Sequence, residues 1–232
     1  MRITLQVLGM LLLAALCEAR DSFTLNNGVI SHTDTTGKTR VIDVGRRCTD
    51  LWVAPDESVI AFVAIDRARP STGQVLGYDE GPLLERTSVY VARRSGRFEP
   101  VLVTAEPVTI GDRAWYVLRN PCLSPDGKTL YFSVPYTMTT WKIVSLSTAS
   151  GQRQLIGDAT NFCVMWSDGY SGGLLLQTRY QPEDPAAGVA YRCEIRADSG
   201  ARVGVGGDCS SFEQFAAKWA LERGGTCNVS RQ

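Results

Sequence analysis

The chain has 232 residues, of which 44% are hydrophobic, and its 24 basic side chains are balanced by 24 acidic ones. This length is enough for one domain with a sizeable hydrophobic core. A formal charge of zero argues against a nucleic-acid-binding protein, because such proteins normally carry a clear excess of basic residues.

Residues 1–19 have the pattern of an export signal. Arg2 supplies the initial positive charge, Leu8 to Leu16 form the apolar stretch, and Cys17 to Ala19 place small residues where a signal peptidase reads. The stretch is too short to cross about 30 Å of hydrocarbon, which disfavours a transmembrane anchor. Leu16 is a poor residue before a lipidated cysteine, which disfavours a lipoprotein. We therefore expect a cleaved signal peptide, a periplasmic or secreted protein, and no membrane span elsewhere in the chain.

Hairpin patterns begin directly after this signal. Val29 to Asp43 alternates apolar and polar residues around a Gly-containing turn, which is typical of a β-hairpin. Phe23 to Leu25, followed by Asn-Asn-Gly, is a candidate third strand. Leu51 to Ala64 then reads as a short strand, a Pro-Asp-Glu turn and an apolar strand.

The same strand–turn–strand segment recurs later in the chain. Leu123 to Val134 contains a Pro-Asp-Gly turn, and Trp166 to Gln177 is a degenerate third copy. The spacing between these last two copies is normal for one four-stranded propeller blade. Each copy is followed by a second hairpin with a Gly-containing turn, and these hairpins are Ser88–Val103, Trp141–Ile156 and Val189–Gly204. The sequence therefore predicts an N-terminal hairpin and then three units of four antiparallel strands, which start near Cys48, Cys122 and Cys163.

The central copy of the repeat resembles a known family. Ser124-Pro125-Asp126-Gly127-Lys128, followed by Leu130-Tyr131-Phe132, is close to the consensus of the TolB-type, WD40-like β-propeller repeats of exported bacterial proteins. The resemblance implies four-stranded blades on a scaffold that often binds protein or peptide, and it implies no catalytic residues, because the motif is a structural turn. The predicted fold class is therefore all-β. Residues 20–209 are predicted to form a β-propeller-like array of about four antiparallel blades, and the sequence leaves open whether the ring closes or is incomplete.

Residues 210–232 are predicted to form a short C-terminal helix and a tail packed on this array. Ser211 and Gln214 make a capping-box pattern, and Gly224-Gly225 ends the helix. The apolar positions that share one helix face are Phe212, Phe215, Ala216 and Trp219. A helix that covers an open sheet edge explains this stripe better than a partner-binding helix does. A closed four-bladed ring would need the C-terminus to supply a strand.

Six cysteines follow the signal, and they are Cys48, Cys122, Cys163, Cys193, Cys209 and Cys227. An even number in an exported chain predicts up to three disulfide bonds. The sequence does not choose among the pairings, but Cys209 with Cys227 is the best single candidate, because this bond would pin the terminal segment to the body. The chain has no C-x-x-C pair and a single histidine, His32, so we predict no metal site.

The long connections between the predicted strands lie on one side of the sheets. If the strands of a blade are labelled a to d, the a–b and c–d turns are short and share one face. The long b–c and d–a segments share the other face, where binding tends to reside. Aromatic residues and arginine dominate protein interfaces. The candidate partner-binding residues on this face are Arg67, Tyr78, Asp79, Glu80, Arg113, Trp115, Tyr136, Trp141 and Tyr180.

No segment carries the pattern of a catalytic or cofactor site. Gly169 to Gly173 fits the G-x-S-x-G pattern, but an extended apolar segment follows where a nucleophile elbow needs a helix. Gly204 to Gly207 leads into a blade junction rather than a helix, so it is not a phosphate-binding loop. We therefore predict no catalytic residue and no cofactor.

The predicted function is that of an exported, non-enzymatic module that binds a protein partner through its b–c and d–a face. A periplasmic inhibitor or an immunity protein is one specific form of this prediction. Two alternatives stay open. One is a hydrolase or lyase that acts on glycans with loop carboxylates, and the other is an assembly subunit that pairs with a second copy through an open sheet edge.

Overall fold

A computed structural model of the chain describes residues 20–65, 86–94, 98–115, 117–137, 139–166, 173–183, 188–197 and 199–228. The predicted export signal lies outside these residues, and so do the serine of the G-x-S-x-G segment and four candidate binding residues. Those four are Arg67, Tyr78, Asp79 and Glu80.

The N-terminal segment forms a three-stranded antiparallel sheet of β1 (Ser22–Asn26), β2 (Val29–Thr33) and β3 (Thr39–Ile42). Asn27 and Gly28 both have a positive φ, as a tight two-residue hairpin turn requires. The predicted hairpin is confirmed, and the candidate strand before it is present as β1.

The middle of the chain forms two four-stranded antiparallel sheets and a small hairpin. The second sheet contains β4 (Arg47–Val53), β5 (Val59–Ile65), β6 (Thr87–Arg93) and β7 (Pro100–Ala105). The hairpin contains β8 (Val108–Ile110) and β9 (Arg113–Trp115), and the third sheet contains β10 (Arg119–Leu123), β11 (Thr129–Pro135), β12 (Trp141–Ser147) and β13 (Arg153–Ala159). In both sheets the strand order is the chain order, as the repeat predicts.

The Pro-Asp turns of these two sheets are closed by their own side chains. Asp56 Oδ1 accepts a hydrogen bond from the Ser58 backbone N–H at 3.0 Å. In the third sheet, Asp126 Oδ1 accepts one from the Lys128 N–H at 3.0 Å and another from the Ser124 hydroxyl at 2.6 Å. Short aspartate side chains form such local bonds readily, which is why the motif makes a tight turn.

Successive sheets pack face to face. One core cluster contains Trp52 of the second sheet, Phe132 of the third sheet and Leu176 of the fourth sheet. A second cluster joins Phe23 of the N-terminal sheet to Ile60 of the second sheet. The near-continuous apolar runs of β5 and β11 are explained by this stacking, because both faces of these strands are buried.

The fourth sheet has five strands. It contains β14 (Asn161–Trp166), β15 (Leu174–Tyr180), β16 (Ala190–Arg196) and β17 (Arg202–Asp208), and the C-terminal strand β18 (Thr226–Asn228) is added beside β14. In the register of this last pair, Met165 lies opposite Cys227. The C-terminus thus supplies a strand, but it adds this strand to the fourth sheet.

Helix α1 (Phe212–Leu221) follows β17 and packs on a face of the fourth sheet. Phe212, Ala216 and Trp219 lie in one buried cluster with Cys163 and Met165 of β14. The expectation that the helix covers a sheet edge is therefore wrong: the helix covers a face, and β18 covers the edge of β14.

The start of α1 also differs from its predicted form. Ser211 is the N-cap residue and has an extended backbone, but its side chain makes no capping hydrogen bond. The predicted capping box with Gln214 is therefore wrong. The end of the helix is as predicted, since the backbone N–H of Gly225 bonds back to the carbonyl of Ala220 at 2.9 Å.

Two disulfide bonds fix the fourth sheet and the C-terminal segment. Cys163 is bonded to Cys227, and Cys193 is bonded to Cys209. The predicted Cys209–Cys227 pairing is wrong. The Cys163–Cys227 bond nevertheless attaches the C-terminal strand β18 to β14, which is the role expected of the predicted bond. Two of the up to three expected bonds are thus present. Cys48 and Cys122, which were expected among the bonded cysteines, are buried free thiols in different core clusters.

The outer faces of the first and last sheets of the array differ in what covers them. The outer face of the N-terminal sheet is open to solvent, with Val29 45% and Val41 59% exposed. The outer face of the fourth sheet is covered by α1. Among the described residues the two outer faces do not pack against each other, so the four sheets form an open array rather than a closed ring. Among the described residues, we find no helix long and apolar enough to cross a membrane.

Candidate functional site

The connections from β5 to β6, from β11 to β12 and from β15 to β16 leave the sheets at one end, which we call the loop face. The Pro-Asp turns lie at the opposite end, which we call the turn face. The described parts of the loop face belong mainly to the third and fourth sheets, together with residues 106–115 and 117–118 before the third sheet.

Tyr136 lies at the end of β11 and is half-buried. Its ring centroid is 6.1 Å from that of Trp115, and the Lys142 Nζ atom lies 3.9 Å from the same Tyr136 centroid. Lys142 also forms an ion pair with Asp158 of β13. Trp115 is 3% exposed and belongs to the main core cluster. Trp115 therefore supports the Tyr136 ring from the core side, and Tyr136 and Lys142 form the surface.

Trp141 begins β12 on the other side of the same connection and is partly exposed. The connection is closed by a hydrogen bond from the Tyr136 N–H to the Thr140 carbonyl at 3.1 Å. Across the surface, the Arg179 Nη1 atom donates to the Thr139 hydroxyl at 2.9 Å. This bond links the fourth sheet to the third at the loop face.

Tyr180 ends β15 and is partly exposed beside a second cation. The Arg192 guanidinium carbon lies 5.4 Å from the centroid of the Tyr180 ring. A cation over an aromatic face is attracted by the ring electrons, and aromatic residues and arginine are enriched where proteins bind one another. Tyr136 with Lys142 and Tyr180 with Arg192 thus form two similar aromatic–cation pairs on this face.

A buried ion pair joins the second and third sheets near the loop face. Asp50 is 1% exposed, and its Oδ2 atom lies 3.3 Å from the Arg119 Nη1 atom. Both Asp50 in β4 and Asn120 in β10 have a positive φ at an irregularity of strand register. Burial raises the pKa of the Asp50 carboxyl above its ordinary value of 3.8, and Arg119 opposes that rise.

A second partly buried carboxylate, Glu106, holds the segment before the third sheet. It accepts a hydrogen bond from the Val117 N–H at 2.8 Å and one from the Thr87 hydroxyl at 3.3 Å. The Thr87 oxygen in turn accepts the Leu118 N–H at 2.6 Å. Burial raises the pKa of Glu106 above 4.5, and these hydrogen bonds act against it. Asp50 and Glu106 therefore both serve to join strands.

The predicted site residues are only partly brought together. Trp115 and Tyr136 are neighbours, Trp141 is on the same connection, and Tyr180 is joined to it through Arg179 and Thr139. Arg113 lies in β9, and its side chain is outside the described structure. Within the described ranges, no three His, Cys, Asp or Glu side chains converge as a metal site.

The sequence does not single out three cations that contact the predicted surface, Lys142, Arg179 and Arg192. They lie inside strands, whereas the predicted binding residues come from the long connections. A usable signal was present for Arg179, because it directly precedes Tyr180 at the end of a strand.

The turn face carries a cleft of about 560 Å³ between the N-terminal and second sheets. Its lining includes Asp21, Asp56 and Arg94. Asp21 lies 3.0 Å from Arg94 and 3.5 Å from His32, while Asp56 is bonded within its own turn. His32 is a strand residue, as expected, but it is buried behind Asp21 and stacks on Phe23. These acids are held by structural partners.

Comparison with known proteins finds similarity of fold. No family model and no curated protein matches the chain. Solved structures that match include TolB from Agrobacterium tumefaciens, with a TM-score of 0.46, 14% identity, and coverage of 80% of this chain and 56% of that chain. The tricorn protease matches with a TM-score of 0.47, 13% identity, and coverage of 79% and 15%. Porphyromonas gingivalis dipeptidyl peptidase 4 matches with a TM-score of 0.49, 11% identity, and coverage of 81% and 31%.

The chain thus spans about half of the TolB structure and smaller parts of the two others. These similarities concern the stacking of antiparallel sheets and assign no activity to the chain.

Proposed function

We propose that the chain is an exported module that binds a partner protein through its loop face. The observation that carries this proposal is the pair of half-exposed tyrosines, Tyr136 and Tyr180, each with a cation against its ring. A tyrosine beside a cation offers apolar area, a hydrogen-bonding hydroxyl and charge at one position, which is the chemistry that protein interfaces favour.

The rigidity of this surface supports the proposal. Tyr136 lies on the buried Trp115, and the Arg179–Thr139 hydrogen bond ties two sheets together. A surface that is already ordered loses little conformational entropy when a partner binds. The resemblance of the sequence to TolB-type repeats, which often bind protein or peptide, points in the same direction.

Export is supported by the two disulfide bonds, because such bonds form and persist in oxidising compartments. The apolar pattern of residues 1–19 provides the corresponding signal. A periplasmic inhibitor, such as an immunity protein against a secreted toxin, is one form that a small exported binding module takes. Under that form, the captured partner would be an enzyme whose activity falls when the module is added.

Affinity capture from periplasm and culture fluid tests the proposal. The bait proteins are the wild type, a Tyr136→Ala/Trp141→Ala variant, and a Lys38→Gln/Lys128→Gln variant that changes the turn face. We expect the wild type and the turn-face variant to capture the same partner, and the loop-face variant to lose it. Thermal melts show that each bait is folded. Equal capture by all three folded baits contradicts the proposed binding face.

A further inference from the structure

Three arginines of the fourth sheet surround one buried carboxylate. Glu194 of β16 is 4% exposed, and its two oxygens lie 3.1 Å from Arg192 Nη2 and 2.7 Å from Arg196 Nη2. Arg202 of β17 approaches the same carboxylate to 3.8 Å. We call Arg192, Arg196 and Arg202 the arginine strip.

The strip lies on one face of the fourth sheet. Arg192, Glu194 and Arg196 occupy alternate positions of β16, so their side chains leave the strand on the same side. In the register with β15, Glu194 and Arg196 lie opposite Leu176 and Leu174, which belong to the core shared with the third sheet. The strip therefore runs along this side of the fourth sheet, from Arg192 beside Tyr180 at the loop face to Arg202 next to the β16–β17 turn at the turn face.

The positive charge of the strip exceeds the negative charge around it. Strands β15, β16 and β17 carry four arginines and two acidic residues, Glu194 and Asp208. Asp208 lies opposite Arg192 in the strand register, and even when it is counted the three strip arginines exceed the two carboxylates. The whole chain has no net formal charge. The excess is thus a local property of this sheet.

The strip also has unused hydrogen-bonding capacity. The Arg192 side chain is 39% exposed and the Arg202 side chain is 53% exposed, so both guanidinium groups reach solvent. A guanidinium group carries five donors in a planar fork that matches a carboxylate.

The surroundings of the strip favour a protein segment as the bound species. Tyr180 lies against Arg192, and Val203 and Val205 are exposed on the edge strand β17 beside Arg202. A free ion would use the charge alone. A peptide segment would use the charge, the aromatic ring and the apolar side chains together, which is the mixture found at protein interfaces.

We propose that the arginine strip binds acidic side chains of the partner protein, with Arg192 and Arg202 as the groups that contact its carboxylates. Arg196, which also donates to the Gly200 carbonyl at 3.0 Å, holds Glu194 in place. This inference rests on the proposed function and adds the chemistry of the partner: its contact surface carries aspartate or glutamate next to apolar residues.

Fluorescence anisotropy with a labelled hexaglutamate peptide tests the strip directly. At low ionic strength, we expect the wild type to bind this peptide and the Arg192→Gln/Arg202→Gln variant to bind it at least about tenfold more weakly. The Lys38→Gln/Lys128→Gln variant loses the same charge on the turn face and should bind as the wild type does. Binding should weaken as salt is added, because ions screen exposed charges.

Because Arg192 contacts the buried Glu194, its replacement can impair folding for a reason unrelated to binding, and a single variant is therefore measured beside the double variant. Arg202→Gln alone changes the more exposed and more distant arginine, and it should fold normally and still weaken binding. Circular dichroism and thermal melts establish folding. Equal peptide affinity of the wild type and both folded arginine variants overturns the proposal. So does binding of inorganic phosphate by the wild type together with no binding of hexaglutamate.

The partner captured through the loop face separates this inference from the proposed function. If Tyr136→Ala/Trp141→Ala loses the partner and Arg192→Gln/Arg202→Gln keeps it at wild-type affinity, the strip proposal fails and the loop-face proposal stands. If all variants retain the partner equally, the loop-face proposal fails. Loss of the partner with both variants supports the two together.

Discussion

The turn face and the loop face satisfy their polar groups in different ways. On the turn face, the carboxylates of Asp34, Asp56 and Asp126 accept backbone hydrogen bonds from residues two to four positions further along. On the loop face, Asp50 pairs with Arg119, 69 positions away, and Arg179 bonds Thr139, 40 positions away. These three aspartates close single hairpins, whereas the two loop-face contacts join one sheet to the next. The turn face is joined across sheets by other donors, since Arg93 and Gln154 bond to the carbonyls of Gly127 and Ser199. The two faces therefore differ in what these carboxylates do: Asp34, Asp56 and Asp126 fix local turns, and Asp50 ties one sheet to another.

The largest effect is expected at Trp115, where the loop face meets the core. Replacing Trp115 by Ala removes a large buried side chain from the cluster that joins three sheets, and we expect the free energy of unfolding to fall by about 3–5 kcal/mol. Urea titration measures this change. Tyr136→Ala removes the partly exposed ring above Trp115 and should lower the free energy of unfolding by clearly less than Trp115→Ala does. A loss below about 1 kcal/mol for Trp115→Ala would show that this side chain does not hold the sheets together.

The second prediction concerns the buried ion pair. Asp50→Asn replaces a charged acceptor opposite Arg119, and we expect a loss of about 1–3 kcal/mol at neutral pH. Because burial raises the pKa of Asp50 in the folded state, the fold favours the protonated carboxyl. The part of the Asp50 contribution that depends on protonation, which adds to that of the Arg119 contact, is therefore fully present below its ordinary pKa of 3.8 and decreases as the pH rises through the raised pKa.

Chemical denaturation of the wild type and Asp50→Asn across this pH range measures the effect. The stability of the wild type relative to the variant should fall as the pH rises above 3.8. A relative stability that rises over the same range would contradict the assigned direction of the shift.

The third prediction is the matching change on the turn face. Asp126→Ala removes the bonds from Ser124 and Lys128 and should cost roughly 1 kcal/mol at neutral pH. Hydrogen bonds donated by the Ser124 hydroxyl and the Lys128 backbone N–H lower the pKa of Asp126. Its contribution is therefore present above pH 3.8 and is lost as the pH falls through the lowered pKa.

The difference in stability between the wild type and Asp126→Ala should therefore shrink in acid, which is opposite in sign to the behaviour of Asp50. The same denaturation series measures it. A difference that persists unchanged well below pH 3.8 would mean that the ionised carboxylate does not close this turn.

These examples show how much of the fold the sequence predicts. The turn at Asp126 is predictable because its partners are two residues away, and this local chemistry sets the strand register of the whole blade. The pairing of Cys163 with Cys227 is not predictable in this way, because it depends on β18 lying beside β14. The place where α1 packs also depends on contacts between distant segments. The sequence therefore predicts the apolar stripe of the helix but not the sheet face that this stripe covers.

The sequence predicts less of the candidate site than of the fold. The loop face followed from the lengths of the connections, and Tyr136, Trp141 and Tyr180 lie on it. The burial of Trp115 did not follow, since an aromatic residue in a long segment has the same pattern whether it points inward or outward. Strand pairing places Lys142 beside Tyr136 and Arg192 beside Tyr180, and in each pair the tyrosine is at the end of one strand and the cation is on the neighbouring strand.

The smallest effect is expected at the exposed bond between the third and fourth sheets. Thr139→Val removes the hydroxyl that accepts the hydrogen bond from Arg179, and exposed contacts of this kind contribute little, so we expect a change within about 0.5 kcal/mol. Thermal melts measure this change. A loss above about 2 kcal/mol would show that single surface contacts, rather than the buried groups, hold the sheets together at the loop face.

Hydrogen–deuterium exchange of the module, alone and with its captured partner, shows directly which face the partner covers. We expect slower exchange in the complex for residues 134–142 and 177–183 on the loop face, and unchanged exchange for residues 54–58 and 124–129 on the turn face. Protection confined to the turn-face segments, with the loop-face segments unchanged, would place the partner on the turn face and overturn the proposed binding face.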